Sequence, residues 1–464
     1  MKPLRLIAVI ALVLIGAAAI VPLRPSSSVQ VAHVVRGEAM SNASASDCGA
    51  VSCTVNLPLV LNRYPYQPPL VIEITQGVQQ PDNSVVLIAE RPTIARVTLT
   101  STVSHSDVSA WLYGTRSGAA LPGSPIAALN NPRTLKSTAD RGASDDTFNF
   151  QLPTTWASGE IELQVQASNG AGYQYSSESK TTSFTAADPL QVTILPIAYT
   201  CDSGGSGTTT PSPPYNYVVD FTYRIYPVPS ISLSTHSSIS YLGPCTTSGV
   251  PDPEGSDWSA MLTQVTDAWW NDDRPDSYYY GLVEIDCSGG CISGIGWVGA
   301  YPVAVGFSGI GPSHYGASET HAHEVGHNHG RRHAPGCGAG NTDPAYPYVS
   351  GGKGYIGNAA FPNFGFDVGD LSPYPYTTHY DIMGYCGPEW ISDYTYEALL
   401  TTAQAQAAHV EGASQPQRAF LVSGWIDPAT HTASLRPVDL IEVSIDPLPH
   451  GEYTLELLDA EGQI

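Results

Sequence analysis

The sequence predicts an α+β domain built on a twisted sheet and flanked by all-β modules. Three observations indicate this fold class. Short runs that alternate apolar and polar residues fill residues 68–188, an apolar helical face and two apolar strand-like runs follow, and strand patterns return after residue 412. At 464 residues the chain is long enough for two or three domains with separate cores.

The N-terminus has the layout of a secretory signal. Lys2 and Arg5 precede an apolar run over residues 6–23, which predicts a signal peptide over residues 1–24 and a secreted, extracellular protein. The run is about as long as a bilayer-spanning helix, so an uncleaved N-terminal anchor is the alternative. Residues 25–67 are rich in Ser, Ala, Val and Pro, and we interpret them as a linker or a short pro-segment.

Residues 68–188 predict a β-sandwich accessory domain of immunoglobulin-like type. Its candidate strands are separated by turns rich in Gly, Pro, Asn and Ser, which is typical of antiparallel sandwiches. The clearest of these strands cover residues 71–74, 94–99, 148–152 and 161–165. The domain could bind substrate or glycan, or serve as a spacer that presents the next domain.

Residues 189–412 change to a mixed α/β pattern. A strand over Leu190–Leu195 comes first, and Trp258, Met261, Leu262, Val265 and Trp269 then give one apolar helical face, capped near residues 256 and 257. Apolar runs over 278–285 and 295–307 predict part of a sheet beneath that helix, and a last helix is expected over about 394–410. Residues 413–464 predict the start of a C-terminal β domain, which is either a small cap or truncated.

Charge and cysteine content narrow the function classes. The formal net charge of −23 repels nucleic acid and anionic lipid, so we expect no nucleic-acid partner and no membrane contact beyond the possible anchor. The even number of cysteines agrees with export and with disulfides between sequence neighbours. A zinc knuckle is the alternative for the close pairs, but no CxxC repeats at the required spacing. The eight are Cys48, Cys53, Cys201, Cys245, Cys287, Cys291, Cys337 and Cys386.

Residues 323–333 spell HExxHxxGxxH. On a helix His323 and His327 leave the same face one turn apart, so both imidazoles can reach one ion. A helix that ends at Gly330 in a left-handed conformation can turn the chain and bring His333 to the same ion. Three neutral imidazoles leave a fourth position for water, which is typical of a catalytic zinc site. Glu324 is placed to act as the general base toward that water.

This motif resembles that of the metzincins, zinc metallopeptidases whose extended zinc motif is followed by a methionine in a tight turn. Met383, in the run His379–Cys386, is the matching Met-turn residue by this resemblance. Tyr385 is similar to the tyrosine that astacins and serralysins place two residues later, where it helps to stabilise the oxyanion. The resemblance covers about residues 190–410, and the layout is similar to bacterial secreted metzincins with β-sandwich modules, including mucin-degrading ones.

Three further features of the same domain bear on the site. Cys337 and Cys386 follow the third histidine and the Met-turn, so a disulfide between them would tie together the two loops at the site; a thiolate that blocks the metal is the rival reading. By the resemblance, residues 389–394 would approach the wall of the pocket for the residue after the cleaved bond, and packing of the last helix explains this run equally well. Acidic clusters at 271–273 and 367–370 fit no calcium-loop spacing, and solvated turns are the better interpretation.

The sequence thus predicts a secreted zinc-dependent endopeptidase that holds one zinc ion and acts on extracellular protein or glycoprotein. The alternative is an adhesin or glycan-binding protein in which the peptidase domain is secondary. A metal-storage protein that uses the neighbouring His314, His321 and His329 is a second alternative. Cleavage specificity and oligomeric state have no signal in the sequence.

Overall fold

The computed structural model describes residues 4–10, 70–202, 208–246, 249–285, 292–309, 316–411, 417–427, 432–435 and 439–443. The chain divides into two compact units, residues 66–411 and residues 1–65 together with 412–464. The linker prediction for residues 25–67, four cysteines and the strand pattern at 453–457 lie outside the described residues. These cysteines are Cys48, Cys53, Cys287 and Cys291.

The first part of the large unit is two β-sheets around one apolar core. All four strands that the sequence indicates are present, and strand Gly159–Ser168 alternates buried and exposed side chains as expected. Side chains from both sheets meet around the buried Phe150 and Trp156. The smaller sheet has the order Phe148–Leu152, Thr93–Leu99, Leu70–Thr75. The larger sheet contains Leu87–Ile88, His105–Arg116, Ala119–Ala120, Ile126–Ala127, Arg133–Leu135, Gly159–Ser168, Gln174–Ser176 and Lys180–Thr185.

The second part is a mixed sheet whose longest strand is Leu190–Cys201. Strand Tyr278–Val283 pairs with it in parallel and is followed by the parallel strand Val303–Phe307. Strand Gly294–Gly296 pairs antiparallel with Val303–Phe307 and forms one edge of the sheet. The remaining strands pair with Leu190–Cys201; they are Thr208–Thr209, Ile231–Thr235 and Ile239–Gly243.

Helices cover both faces of this sheet. The α-helices of the described residues are α1 Asn216–Ile225, α2 Gly255–Asn271, α3 Ala317–Asn328 and α4 Asp393–Glu411. On one face α2 buries Trp258, Met261 and Val265 against strand side chains that include Val303, which confirms the predicted helix above the sheet. A capping box between Glu254 and the third residue of α2 starts that helix, slightly earlier than expected. On the other face α1 and α3 pack together in a second core.

Helix α1 is an element that the sequence interpretation missed. Val218, Phe221 and Ile225 recur at helical spacing and are buried, and this spacing is the signal that could have indicated the helix. Arg91 from the sandwich closes the end of α1, since its buried guanidinium donates hydrogen bonds to the carbonyl oxygens of Tyr223, Arg224 and Val228 at 2.8–3.0 Å. These bonds satisfy carbonyl groups that a helix end leaves unpaired.

Further contacts join the sandwich to the second part of the large unit, which contains the mixed sheet. Strand Val78–Gln79 pairs with Phe364–Phe366, which in turn pairs with Pro373–Pro375. Arg141 forms an ion pair with the buried Glu73 and donates a hydrogen bond to the carbonyl oxygen of Pro362 at 2.6 Å. The predicted boundary between residues 188 and 189 therefore lies inside one compact unit. Two small sheets complete it, Val349–Ser350 with Lys353–Gly354 and Tyr380–Asp381 with Glu389–Trp390.

In the smaller unit, the described residues form an antiparallel sheet around Gln417–Asp427. Its other strands are Leu4–Ile10, Thr432–Leu435 and Asp439–Val443. The strands expected at 419–422 and 441–443 are thus confirmed, whereas the signal and anchor interpretations of residues 1–24 stay predictions. None of the helices in the described ranges has the length and apolar character needed to cross a membrane.

Candidate metal centre

Helix α3 presents the first two histidines of the motif. His323 and His327 lie one turn apart, and their ring centroids are 4.8 Å from each other. Between them Gly326 faces the core, where the sulfur of Met383 occupies the space that a β-carbon would need. The absence of a side chain at 326 therefore lets the helix pack directly on Met383.

The end of α3 directs the third histidine toward the other two. Gly330 has a φ of +78°, and its N–H donates to the carbonyl of His327 at 2.8 Å while Arg331 N–H donates to that of Gly326 at 3.1 Å. This is a Schellman motif, which reverses the chain after a helix. The left-handed glycine expected from the sequence is confirmed, and His333 follows three residues later with its Nε2 atom 3.1 Å from that of His327.

All three imidazoles are oriented by backbone carbonyl groups. His323 Nδ1 lies 2.7 Å from the oxygen of Ile382, His327 Nδ1 lies 2.7 Å from that of Arg331, and His333 Nδ1 lies 2.5 Å from that of Gly340. Since a carbonyl oxygen only accepts, we assign the proton of each ring to Nδ1. The three Nε2 lone pairs then converge, and the ligand atoms of the triad all lie within 4.8 Å of one another.

The charge state of the triad fits a metal ion. Burial, aided by the neighbouring His327, lowers the pKa of His323 to about 3, and burial lowers that of His327 to about 4. Both rings are therefore neutral near pH 7, which is the form that binds metal. Two unprotonated Nε2 atoms at 3.1 Å repel each other unless a cation lies between them. The donor set and its carbonyl partners thus suit a divalent transition metal.

A tight turn at residues 381–384 supports two of these ligands. Asp381 Oδ1 accepts the N–H of Met383 at 2.8 Å, and the Asp381 carbonyl accepts the N–H of Gly384 at 2.8 Å. Within the turn, the carbonyl of Ile382 holds His323, and that of Met383 accepts the N–H of Ala334 at 2.9 Å, next to His333. Met383 itself is 1% exposed. The predicted Met-turn residue therefore lies beneath the triad in a turn that positions two histidines.

Trp390 connects this turn to the sandwich. Its indole Nε1–H donates to the carbonyl of Gly77 at 2.7 Å, and its own carbonyl accepts the N–H of Ile382 at 2.6 Å. The Ile382 carbonyl then accepts the Nδ1–H of His323. Three consecutive hydrogen bonds thus run from the sandwich backbone to a ligand of the candidate metal site. Buried groups in such a chain fix ligand orientation.

Two disulfides are present among the described residues. Cys337 is bonded to Cys386, as the sequence interpretation expected, and the bond joins the loop after His333 to the chain after the Met383 turn. Cys201 is bonded to its sequence neighbour Cys245. Closing the loop between Cys337 and Cys386 stabilises the fold by roughly 4 kcal/mol in the chain-entropy model.

A cavity of about 340 Å³ opens beside the triad. Glu324, 6% exposed, lines it together with His323, and no residue in the described ranges forms a hydrogen bond with its carboxylate. Burial raises the pKa of Glu324 to about 8, and a cation held by the triad would lower it again. The carboxylate is therefore next to a metal ligand, free to exchange a proton with a molecule in the cavity.

The edge strand Gly294–Gly296 starts at this cavity, which Gly294 lines together with Glu324. A β-carbon on Gly294 would lie 2.7 Å from Glu324 Cγ, and one on Gly296 would lie 2.6 Å from the Glu324 carbonyl oxygen. Both glycines are thus needed for the strand to lie against α3. The sequence interpretation missed them, although two glycines in a short strand signal a close backbone approach.

Tyr385 borders the triad and the cavity. Its ring centroid is 4.8 Å from that of His333 and 5.9 Å from that of His323, and the residue is 53% exposed. Burial and the nearby Glu324 raise the pKa of its phenol, so the hydroxyl remains a hydrogen-bond donor near pH 7. The tyrosine indicated by the resemblance is therefore close to the three histidines.

Other histidines and acidic residues named in the sequence interpretation lie apart from the triad. His321 Nδ1 is 2.6 Å from Thr222 Oγ1, and His329 stacks on Tyr278, while His314 lies outside the described residues. Asp367, in one acidic cluster, forms an ion pair with Arg224. The triad is the group of His, Cys, Asp or Glu side chains that could hold a metal in the described part of the chain.

Comparison with known proteins assigns neither a family nor a function to the chain. No model of a protein family matches the chain, and no curated protein matches it in sequence. What the structure supplies is a three-histidine cluster with converging Nε2 atoms, a carboxylate beside it and two disulfides. Any assignment of function rests on these residues and their contacts.

Proposed function

We propose that the chain is a secreted zinc-dependent endopeptidase of metzincin type that hydrolyses extracellular proteins or glycoproteins. The observation that carries the proposal is that one cavity is lined by a triad histidine, by the buried Glu324 and by an edge strand. His323, His327 and His333 would hold the zinc ion. When bound, zinc supplies Lewis-acid chemistry, which acidifies water and polarises a carbonyl group.

The chain's own residues would do the rest of the chemistry. Glu324 accepts the proton of the attacking water and passes it to the leaving amine, since its carboxylate faces the cavity without another partner in the described ranges. The phenol of Tyr385 donates a hydrogen bond to the oxygen of the attacked carbonyl as negative charge develops there.

The edge strand supports a polypeptide as substrate. Gly294–Gly296 pairs with Val303–Phe307 on one side, and no second strand pairs with it within the described ranges. An extended peptide could hydrogen-bond to this edge as an added strand, which is a common mode of peptide recognition. It would then pass next to His323 and Glu324.

The geometry also bears on the metal-storage alternative. His321 and His329 are buried against Tyr280 and Tyr278, respectively, and neither ring is part of the triad. We therefore expect the described residues to bind one ion per chain. Metal storage would also not require the carboxylate of Glu324 beside the triad.

The test uses the full chain loaded with zinc, and Glu324→Gln as the variant. We expect the wild type to cut members of a protein and mucin panel, and the variant to keep one zinc per chain while losing at least about 100-fold in kcat, the scale of general-base catalysis. Glu160→Gln, an exposed glutamate on the sandwich, is the matched control and should cut normally.

Either of two results would overturn the proposal. Equal cleavage by wild type and Glu324→Gln would remove the general-base role. Absence of cleavage by zinc-loaded wild type, with glycan or protein binding that survives Glu324→Gln, would favour the adhesin alternative.

A further inference from the structure

The cavity beside the triad contains two carboxylates that have no role in the proposed reaction. Besides Glu324, its walls carry Glu319 from the first turn of α3 and Glu389 from the chain after the Met383 turn. Both of these carboxylates are half-buried. The other lining residues are uncharged, apart from the triad member His323; they are Ile292, Ser293, Gly294, Thr320, Ile382, Gly384 and Tyr385.

Neither carboxylate is neutralised by the described part of the protein. Glu319 accepts a hydrogen bond from Ser318 Oγ at 3.0 Å, and no lysine, arginine or histidine in the described ranges forms an ion pair with Glu319 or Glu389. The sequence stretches 286–291 and 310–315 also contain no lysine or arginine. The two carboxylates line the same cavity, and burial, with a smaller contribution from Glu319, raises the pKa of Glu389.

A separate observation indicates that the cavity receives a ligand. Glu324 lines it with a side chain that is 6% exposed and has no hydrogen-bond partner among the described residues. A carboxylate that is enclosed by protein but open to the cavity is placed to bind a group that enters it. The volume of about 340 Å³ lies at the lower end of the range for small-molecule sites and suits one long side chain.

A cationic side chain would pair with the two further carboxylates, Glu319 and Glu389, and leave Glu324 available to water. Its charge would offset the repulsion between the two carboxylates, and Glu389 could bind an ammonium or guanidinium group through a charge-assisted hydrogen bond. The net charge of −23 would also favour the approach of a basic polypeptide. An acidic or apolar side chain would leave the two carboxylates without a cationic partner.

We propose that this cavity selects a lysine or arginine side chain next to the cleaved bond, and that Glu389 is the residue that reads its positive charge. The proposal rests on the peptidase function proposed above and adds the class of substrate. Glu389 is a specificity-determining residue here, distinct from Glu324, which acts on the reacting atoms.

The test measures kcat/KM for matched peptides that differ in one residue on either side of the cleaved bond, with the bond located by mass spectrometry. We expect lysine and arginine peptides to exceed their glutamine, methionine and glutamate counterparts at least about ten-fold at one of the two positions. Glu389→Gln should reduce this lysine-to-glutamine ratio about ten-fold, and Glu389→Lys should invert it toward acidic residues.

Glu160→Gln is the control, since it removes the same charge from the exposed sandwich surface and should leave the ratio unchanged. A wild-type ratio near one, or a high ratio that survives in Glu389→Gln, would overturn the specificity proposal and leave the peptidase function intact. Absence of cleavage of every peptide by the zinc-loaded wild type would overturn both.

Discussion

Two glycines of the zinc-motif segment are required for different physical reasons. At Gly326 a β-carbon would collide with the sulfur of Met383 and lie 3.3 Å from the hydroxyl of Tyr226. At Gly330 no atom lies within 4 Å of the β-carbon position, but φ is +78°, which costs other residues about 1–2 kcal/mol. Space therefore selects glycine at 326, and backbone conformation selects it at 330.

Gly326→Ala should destabilise the protein, because overpacking against Met383 costs about 1–3 kcal/mol and exceeds the gain of about 1 kcal/mol in helix propensity. Urea unfolding of the metal-free protein measures the change. Gly170→Ala is the control, since this exposed loop glycine has no positive φ and no atom near its β-carbon position. Equal stability of the two variants would show that α3 does not pack on Met383 as described.

Short-range spacing accounts for what the sequence could predict at this site. His323, His327, Gly330 and His333 lie within eleven residues, and helical geometry alone places the first two on one face. Trp390 and Gly77 are 313 residues apart, and no local periodicity encodes a hydrogen bond between them. The same holds for Glu319 and Glu389, which line one cavity only because α3 and the chain after the Met383 turn both border it.

At the scale of elements, the turn at 381–384 is held from both sides. Its Ile382 carbonyl holds His323, while its Ile382 N–H donates to the carbonyl of Trp390. Trp390 is fixed by Gly77 and by the ring of Tyr374, whose centroid is 4.5 Å away. A β-carbon on Gly365 would overlap the indole. The position of His323 is thus set by elements on both sides of the predicted domain boundary.

Trp390→Phe should weaken metal binding while leaving the fold in place. Phenylalanine keeps a ring in the core but removes the indole N–H. Among the described residues, the Gly77 carbonyl then keeps only the N–H of Phe366 as donor, so the change costs about 0.5–1.5 kcal/mol for one lost hydrogen bond. Loss of a group that hydrogen-bonds to a metal ligand typically weakens metal binding roughly 10–100-fold. Two further hydrogen bonds lie between the Trp390 indole and His323, so we expect a smaller effect, a Kd for zinc that is about three- to ten-fold higher. Competition with a chelator measures this Kd.

The control for that change is Trp270→Phe. Trp270 lies on α2, on the far face of the sheet, and its indole N–H has no hydrogen-bond acceptor within the described ranges. It should bind zinc like the wild type. The same Kd in Trp390→Phe as in Trp270→Phe would mean that the link to the sandwich does not position His323.

At the scale of the whole molecule, α3 is a helix with several histidines inserted into an apolar core. Burial lowers the pKa of His321 to about 3 and that of His329 to about 4. Their ring neighbours are the aromatic residues Tyr280, Tyr278 and Tyr226, so protonation would place a charge among apolar groups. The fold therefore requires these histidines to be neutral, whether or not metal is bound.

This requirement sets the pH dependence of stability. The folded-state pKa of His321 lies below the unfolded value of 6.5, so its contribution is fully present above pH 6.5 and is lost as the pH falls toward 3. Each such histidine adds a slope of up to about 1.4 kcal/mol per pH unit. Glu324 acts in the opposite sense, because its raised folded-state pKa of about 8 favours the folded state as the pH falls from 8 toward its unfolded value.

His321→Gln isolates the histidine contribution from that of Glu324. In metal-free protein we expect the free energy of unfolding to fall between pH 6.5 and 4.5 less steeply in the variant than in the wild type, by about 1 kcal/mol per pH unit. His105→Gln, which alters a half-buried histidine of the sandwich, should keep the wild-type slope. If His321→Gln kept that slope too, the buried imidazole of His321 would not be the group that takes up a proton on unfolding in acid. Burial of a neutral His321 would then not be the cause of the acid sensitivity.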